Sequence, residues 1–217
     1  MRELPQEALD RRARSLAILA SESVPFMAQL PVIDTATEAQ IRSKEEIAYR
    51  ALCLLTVALK GEGLEQSIVE RIVQEHDLVS RLTLKESAFI ANLSPSIHER
   101  TQFSWRYECA WVLLWALSFV EELGRPDQIC DVSRSVRFMK ERTTSEFLAD
   151  SKERPAAEIL DAADLIYRYD WACVSARLKG EPAPAGLDKG IVQERHHALN
   201  WLFGYLGQEW DRITIDT

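Results

Sequence analysis

The stretch CAWVLLWALSFV, Cys109–Val120, is the most apolar run in the chain and is interrupted only by Ser118. It falls about eight residues short of a bilayer span, so it reads as a helix buried in a protein core and not as a membrane segment. Trp111 and Trp115 lie four apart and share one face of that helix, as a packed aromatic stripe requires. On its N-terminal side, Ser94 followed by Pro95, or Ser96 with Glu99 in a competing capping box, supplies a start. The predicted helix runs through Trp105 to about Leu123, where Gly124 and Pro126 end it.

Outward from this run the apolar period stays helical. Leu9, Ala13, Leu16, Ala17 and Ala20 define a first helix that closes near Ser23, before Pro25 and Pro31. Thr37, with Gln40 at the N3 position, is read as the cap of a second helix carrying Ile47, Ala51, Leu54, Leu55 and Ala58, stopped by Gly61 and Gly63. Shorter helices are predicted over Leu64–Glu75, Leu84–Ala91 (capping box Thr83 and Glu86), Val132–Lys140 (cap Asp131), and around Phe147 (cap Thr143 or Thr144). Pro155 is placed as the first residue of a long helix to about Leu178, and a last helix spans Ile191 to about Leu206. The alternation Ile213-Thr214-Ile215 is consistent with one short C-terminal strand. The expected fold is all-α: a single-domain irregular helical bundle over residues 1–217, with that strand as its one possible exception.

The chain holds 26 basic and 34 acidic side chains for a formal charge of -8, a field that repels phosphate backbones and anionic lipid. Nucleic acid and membrane are therefore not the expected partners. The four cysteines, Cys53, Cys109, Cys130 and Cys173, form no CxxC pair, and Met1–Pro5 leads into a charged helix without an apolar export core. Reduced thiols and a cytoplasmic location are the expectation.

Polar residues at positions that a core resists are the candidates for function. At 100° per residue Glu158, Asp161, Asp164 and Arg168 form one stripe on an otherwise apolar helix, while Asp170 and Arg177 fall on another face. Arg195 lies inside the apolar arc of the last helix and needs acceptors for its five donors if it is buried; Glu108, Glu158, Asp161 and Asp164 are the candidates. Arg106 and Glu108 stand where the central helix turns wholly apolar. These groups either line a polar pocket or fix helix register.

Glu194 and His197 share a face with Asn200, and their ExxH spacing is compatible with a carboxylate and an imidazole of a helical metal site. A second ExxH is missing, and Arg168 with Arg195 offers a simpler balance for the carboxylates, so no bound metal is expected; Glu194 and His197 remain the alternative ligands. No nucleophile elbow, phosphate loop or dinucleotide fingerprint is present, and no cofactor is expected. The tail is predicted to dock through Trp210, with Asp211 and Asp216 as acceptors for Arg106, Arg168 or Arg195.

The segments Phe103-Ser-Trp-Arg-Tyr-Glu108, Arg154-Pro-Ala-Ala-Glu-Ile-Leu-Asp161, Asp164-Leu-Ile-Tyr-Arg168, Glu194-Arg-His-His-Ala-Leu-Asn-Trp201 and Trp210-Asp211 with Asp216-Thr217 together resemble the domain-of-unknown-function family 4272. The resemblance runs from about Ser43 to Thr217. It implies one globular domain in a mostly bacterial family and singles out the same polar residues, but implies no reaction. Three functions stay open: a protein-interaction or structural domain built on a carboxylate/arginine network, which the sequence slightly favours; a small-ligand binding module; and a metal-assisted enzyme. The partner expected is thus an unidentified protein or small molecule, and the oligomeric state is open.

Overall fold

Apolar periodicity and caps give an all-α irregular bundle in the computed structural model, which describes residues 4–216; Met1 of the N-terminal reading and Thr217 of the C-terminal motif lie outside the described residues. The helices are α1 (Gln6–Ser21), α2 (Lys44–Glu62), α3 (Gln66–Glu75), α4 (Leu84–Ala91), α5 (Ile97–Ser104), α6 (Arg106–Ala116), α7 (Val132–Lys140), α8 (Thr144–Asp150), α9 (Ala156–Leu178) and α10 (Lys189–Leu202). They pack in a row: α1 on α9, α9 on α10, α10 on α6, and α6 on α2, which also meets α3, α4, α5, α7 and α8. α2 is consequently buried on nearly every side from Ala51 to Ala58, which is why its sequence lacks a polar stripe there. None of the described helices is long and apolar enough to cross a membrane.

Capping boxes explain several boundaries. Thr83 with Glu86, Ser96 with Glu99, and Thr143 with Glu146 each close reciprocally at the head of a helix. The second helix is a correction. It begins after Ser43, which caps it in a capping box with Glu46, and not at Thr37. Thr35 and Glu38 close a local turn instead, and the main-chain N–H groups of Gln40 and Arg42 donate to Phe203 and Leu202 at the end of α10. The Arg42 guanidinium adds bonds to the carbonyls of Trp201 and Gln208. One extended segment thus satisfies the orphan carbonyls of a helix distant in sequence. The same contact ends α10 at Leu202, short of the predicted Leu206: a Cβ at Gly204 (φ 77°) would lie 2.7 Å from the Gln40 carbonyl oxygen.

The predicted central helix is also shorter than expected. It breaks at Trp105 and stops at Ala116 instead of Leu123, because Ser118 adopts φ 61° and the N–H of Phe119 turns back to Leu114. Arg154 locks this end by donating to the carbonyls of Trp115, Val120 and Glu121. The short C-terminal strand does not form: no strand occurs among the described residues. Side chains take the main-chain groups that a partner strand would need. Gln208 Oε1 accepts from the Thr214 N–H at 2.9 Å, and Asn200 Nδ2 donates to its carbonyl at 2.9 Å.

Candidate functional site

The polar residues singled out in the sequence contribute to two buried seams, one partly exposed seam and a pocket. In the first seam, α10 presents Arg195, 3% exposed, to α6: its Nε donates to Glu108 Oε2 at 2.9 Å and its Nη1 to the carbonyls of Leu123 and Gly124 at 3.1 and 2.9 Å. Of the four carboxylates that were candidate acceptors only Glu108 serves, and it takes a single bond. The loop following α6 supplies the remaining acceptors, and the second oxygen of Glu108 is used by the Cys130 N–H at 2.6 Å. Glu158, Asp161 and Asp164 do not reach this arginine. Glu158 pairs with Arg154 near the surface, and Asp161 with Arg14 and Arg11, because that stripe of α9 faces α1.

In the second seam Arg106 meets Glu194 at 2.8 Å, and the Cys109 thiol donates to the same carboxylate at 3.0 Å. Burial, followed by the Glu194 charge, pushes the Cys109 thiol well above its ordinary value. His197 shares a helix face with Glu194 but not its partners. It packs edge-on against Trp210, ring centroids 4.6 Å apart, with Nε2 buried and lacking a hydrogen-bond partner. Burial and the nearby Arg106 charge pull its pKa down to about 3. Among the described residues no group of three or more His, Cys, Asp or Glu side chains is arranged to hold a metal ion.

The third seam is Asp164–Arg168 on α9, a bidentate pair one turn apart at 2.8 and 2.9 Å, with Arg168 0% exposed. Nη2 also reaches the Pro31 carbonyl at 3.4 Å, while Nη1 is buried without a partner. The loop at residues 31–34 is held by this bond and by Arg11 of α1, whose Nη1 donates to the Asp34 carbonyl at 2.8 Å.

That loop forms one wall of a pocket of about 370 Å³ whose other walls are Tyr167 of α9, His196 and Asn200 of α10, and Phe203, Tyr205 and Asp216 after it. His196 is 2% exposed, and its Nδ1 faces Asp170 Oδ2 at 3.2 Å, which leaves Nε2 as the ring nitrogen available to the pocket. Asp34, at the solvent edge, has a pKa raised by desolvation and then by Glu38. Tyr205 is raised by desolvation and then by Asp216, and Tyr167 by desolvation.

Of the residues named from the sequence, Asn200 and Asp216 line this pocket and Arg168 and Asp164 stand behind its loop wall. Asp211 sits half-buried in the single turn Trp210–Arg212, and Asp216 accepts from Thr214 Oγ1 at 2.9 Å; neither meets Arg106, Arg168 or Arg195. The docked element is Trp210, 4% exposed, edge-on to Trp201 and 5.3 Å below the Arg50 guanidinium. His196 was given no role by the sequence, and Asp170 was placed only on a separate face of its helix. The i, i+4, i+7 series His196, Asn200, Phe203 was the available signal for the first; Asp170 gave none, since its role depends on how α9 packs on α10.

A larger cleft, about 870 Å³, opens between α3 and the α7–α8 turn, over Ile68, Ile72, Val136 and Met139. Its one buried imidazole, His76, faces Thr144 Oγ1 at 3.1 Å and is lowered by burial. None of the residues singled out in the sequence lines this cleft.

Neither the curated proteins nor the solved structures give a match to this chain. The model of one protein family, described as Domain of unknown function (DUF4272), matches residues 11–213, which takes in α1 as well as the motif-bearing second half and therefore begins earlier than the resemblance suggested. That match spans most of the length over which the seams and the pocket are built, and the chain belongs to the DUF4272 family.

Proposed function

We propose that this chain is a small-ligand binding module, and that its site is the pocket between the 31–34 loop, α9, α10 and the C-terminal tail. The observation that carries this reading is convergence: four separate stretches of chain bring an imidazole, an amide, tyrosines and carboxylates to one concavity of about 370 Å³. Pockets of this size with a few placed polar groups among aromatic walls are the usual form of small-molecule sites. The carboxylate/arginine pairs take the structural part in this reading. Glu108–Arg195 ties α10 to α6 and its following loop, and Asp164–Arg168 holds the loop that roofs the pocket.

The test is a small-molecule library followed by ligand-observed NMR, repeated on Val32→Trp, which places an indole into the pocket wall. Binders whose signal disappears in the filled variant, with its thermal transition unchanged, support the proposal. A library without binders, or binders indifferent to Val32→Trp, overturns it. Should the variant fail to fold, Tyr205→Ala serves as the second probe of the same wall.

A further inference from the structure

We infer that the pocket takes a small organic cation, a primary or methylated ammonium group, an inference that rests on the binding reading above and narrows it to one chemistry. The walls are the starting point. Phe203 and Tyr205 have ring centroids 6.0 Å apart and planes inclined at 62°, and Tyr167 and His196 stand 6.1 Å apart at 53°. These four rings line one concavity and are inclined to one another, so the pocket offers aromatic surface in more than one orientation. Aromatic faces carry negative quadrupole density, and clustered aromatic rings are a recurring means of holding ammonium groups.

The charges point the same way. Asp34 and Asp216 line the same pocket, and both act on the Tyr205 hydroxyl, Asp216 at 3.5 Å. Asp216 receives one hydroxyl bond from Thr214, and no ion pair among the described residues engages either carboxylate. Two cations stand nearby: Arg168, 5.9 Å from the Tyr167 centroid, is met by both oxygens of Asp164, and the buried Arg11, whose Nη1 donates to the Asp34 carbonyl at 2.8 Å, is paired with Glu7 and Asp161. The rim therefore presents negative charge that the fold leaves uncompensated. An ammonium seated against Tyr205 completes that balance, with Nε2 of His196 offering a hydrogen bond at the far end. An anion entering the same space would face Asp34 and Asp216 without a free cation to receive it.

The experiment uses the full chain and four probes of similar bulk: tetramethylammonium, butylammonium, tert-butanol and butanoate, titrated while amide and aromatic side-chain NMR signals are followed. Saturable shifts are expected from the two cations and mapped to Tyr205, Phe203 and the 31–34 loop. Asp34→Asn/Asp216→Asn is expected to weaken them about tenfold, and Tyr205→Leu to weaken tetramethylammonium more than butylammonium. Saturable binding of tert-butanol or butanoate with equal or higher affinity overturns the cation assignment while leaving the binding module intact. Absence of binding by all four, together with a library that gives no binder lost on Val32→Trp, overturns both.

Discussion

Lowering the pH should destabilise this protein in part through His197, by an amount set by how that ring is packed. Its ring is packed on Trp210 beside Arg106, and its pKa is held at about 3 against an ordinary 6.5. The unfolded chain therefore binds a proton that the folded chain refuses. Stability from this group is fully present above about pH 6.5 and is lost progressively as pH falls from there towards about 3. At about pH 5 the unfolded imidazole sits about 1.5 units into its titration, and one unit is worth ~1.4 kcal/mol, so the loss is about 2 kcal/mol relative to pH 8. Urea denaturation of the native chain and of His197→Phe at the two pH values isolates the effect. The phenyl ring keeps the edge contact with Trp210 and does not titrate. His76, also lowered by burial, titrates in both proteins and cancels in the difference. The variant should lose about 2 kcal/mol less than the native chain on acidification. Equal losses in both would refute the desolvated, neutral state of the His197 ring, and His197→Gln provides the same comparison if the phenylalanine variant folds poorly.

Arg195→Ala should destabilise by about 3–5 kcal/mol, since Glu108 stays buried without its cation, whereas Arg195→Met combined with Glu108→Leu should recover most of that loss; denaturation curves of the three proteins decide it. Gly61→Ala should cost about 1–3 kcal/mol although alanine favours helices, because its Cβ would stand 2.7 Å from the Arg100 carbonyl oxygen and the Ser104 nitrogen where α2 and α5 touch; a neutral or stabilising result contradicts that contact. Trp210→Ala should cost about 3–5 kcal/mol and leave residues after 207 open to limited proteolysis, while a variant with the native cleavage pattern would show that the tail is held by other contacts.

Much of the architecture was legible in the sequence because helices announce themselves locally. The apolar period of α2 and of Cys109–Ala116, and the pairs Thr83/Glu86 and Ser96/Glu99, are one-dimensional features that act within a turn or two of chain, and the structure uses them as read. The burial of Arg195 was readable for the same reason: its place in an apolar arc fixes which way it points.

What the sequence could not carry are the partners that meet through space. Thr37 looked like a cap, but Gln40 and Arg42 are drawn out to the end of α10, where they donate to carbonyls that the helix leaves unpaired. Ile213–Ile215 alternated like a strand, yet Asn200 and Gln208 claim the backbone of Thr214. Glu194 and His197 have ligand spacing on one face, and α6 and the tail give them different neighbours, Arg106 for one and Trp210 for the other. The pocket itself is the clearest case: His196, Tyr167, Asp34 and Asp216 are separated by long stretches of chain, and only the packing of α9 on α10, with the 31–34 loop fastened by Arg168, brings them to one concavity. The sequence by itself determined most of the helices and the burial of Arg195, since both follow from short-range periodicity; the tertiary structure decided which other charges are buried, Arg11 and Lys60 among them, which groups satisfy one another and which face a cavity, since that depends on distances no spacing encodes.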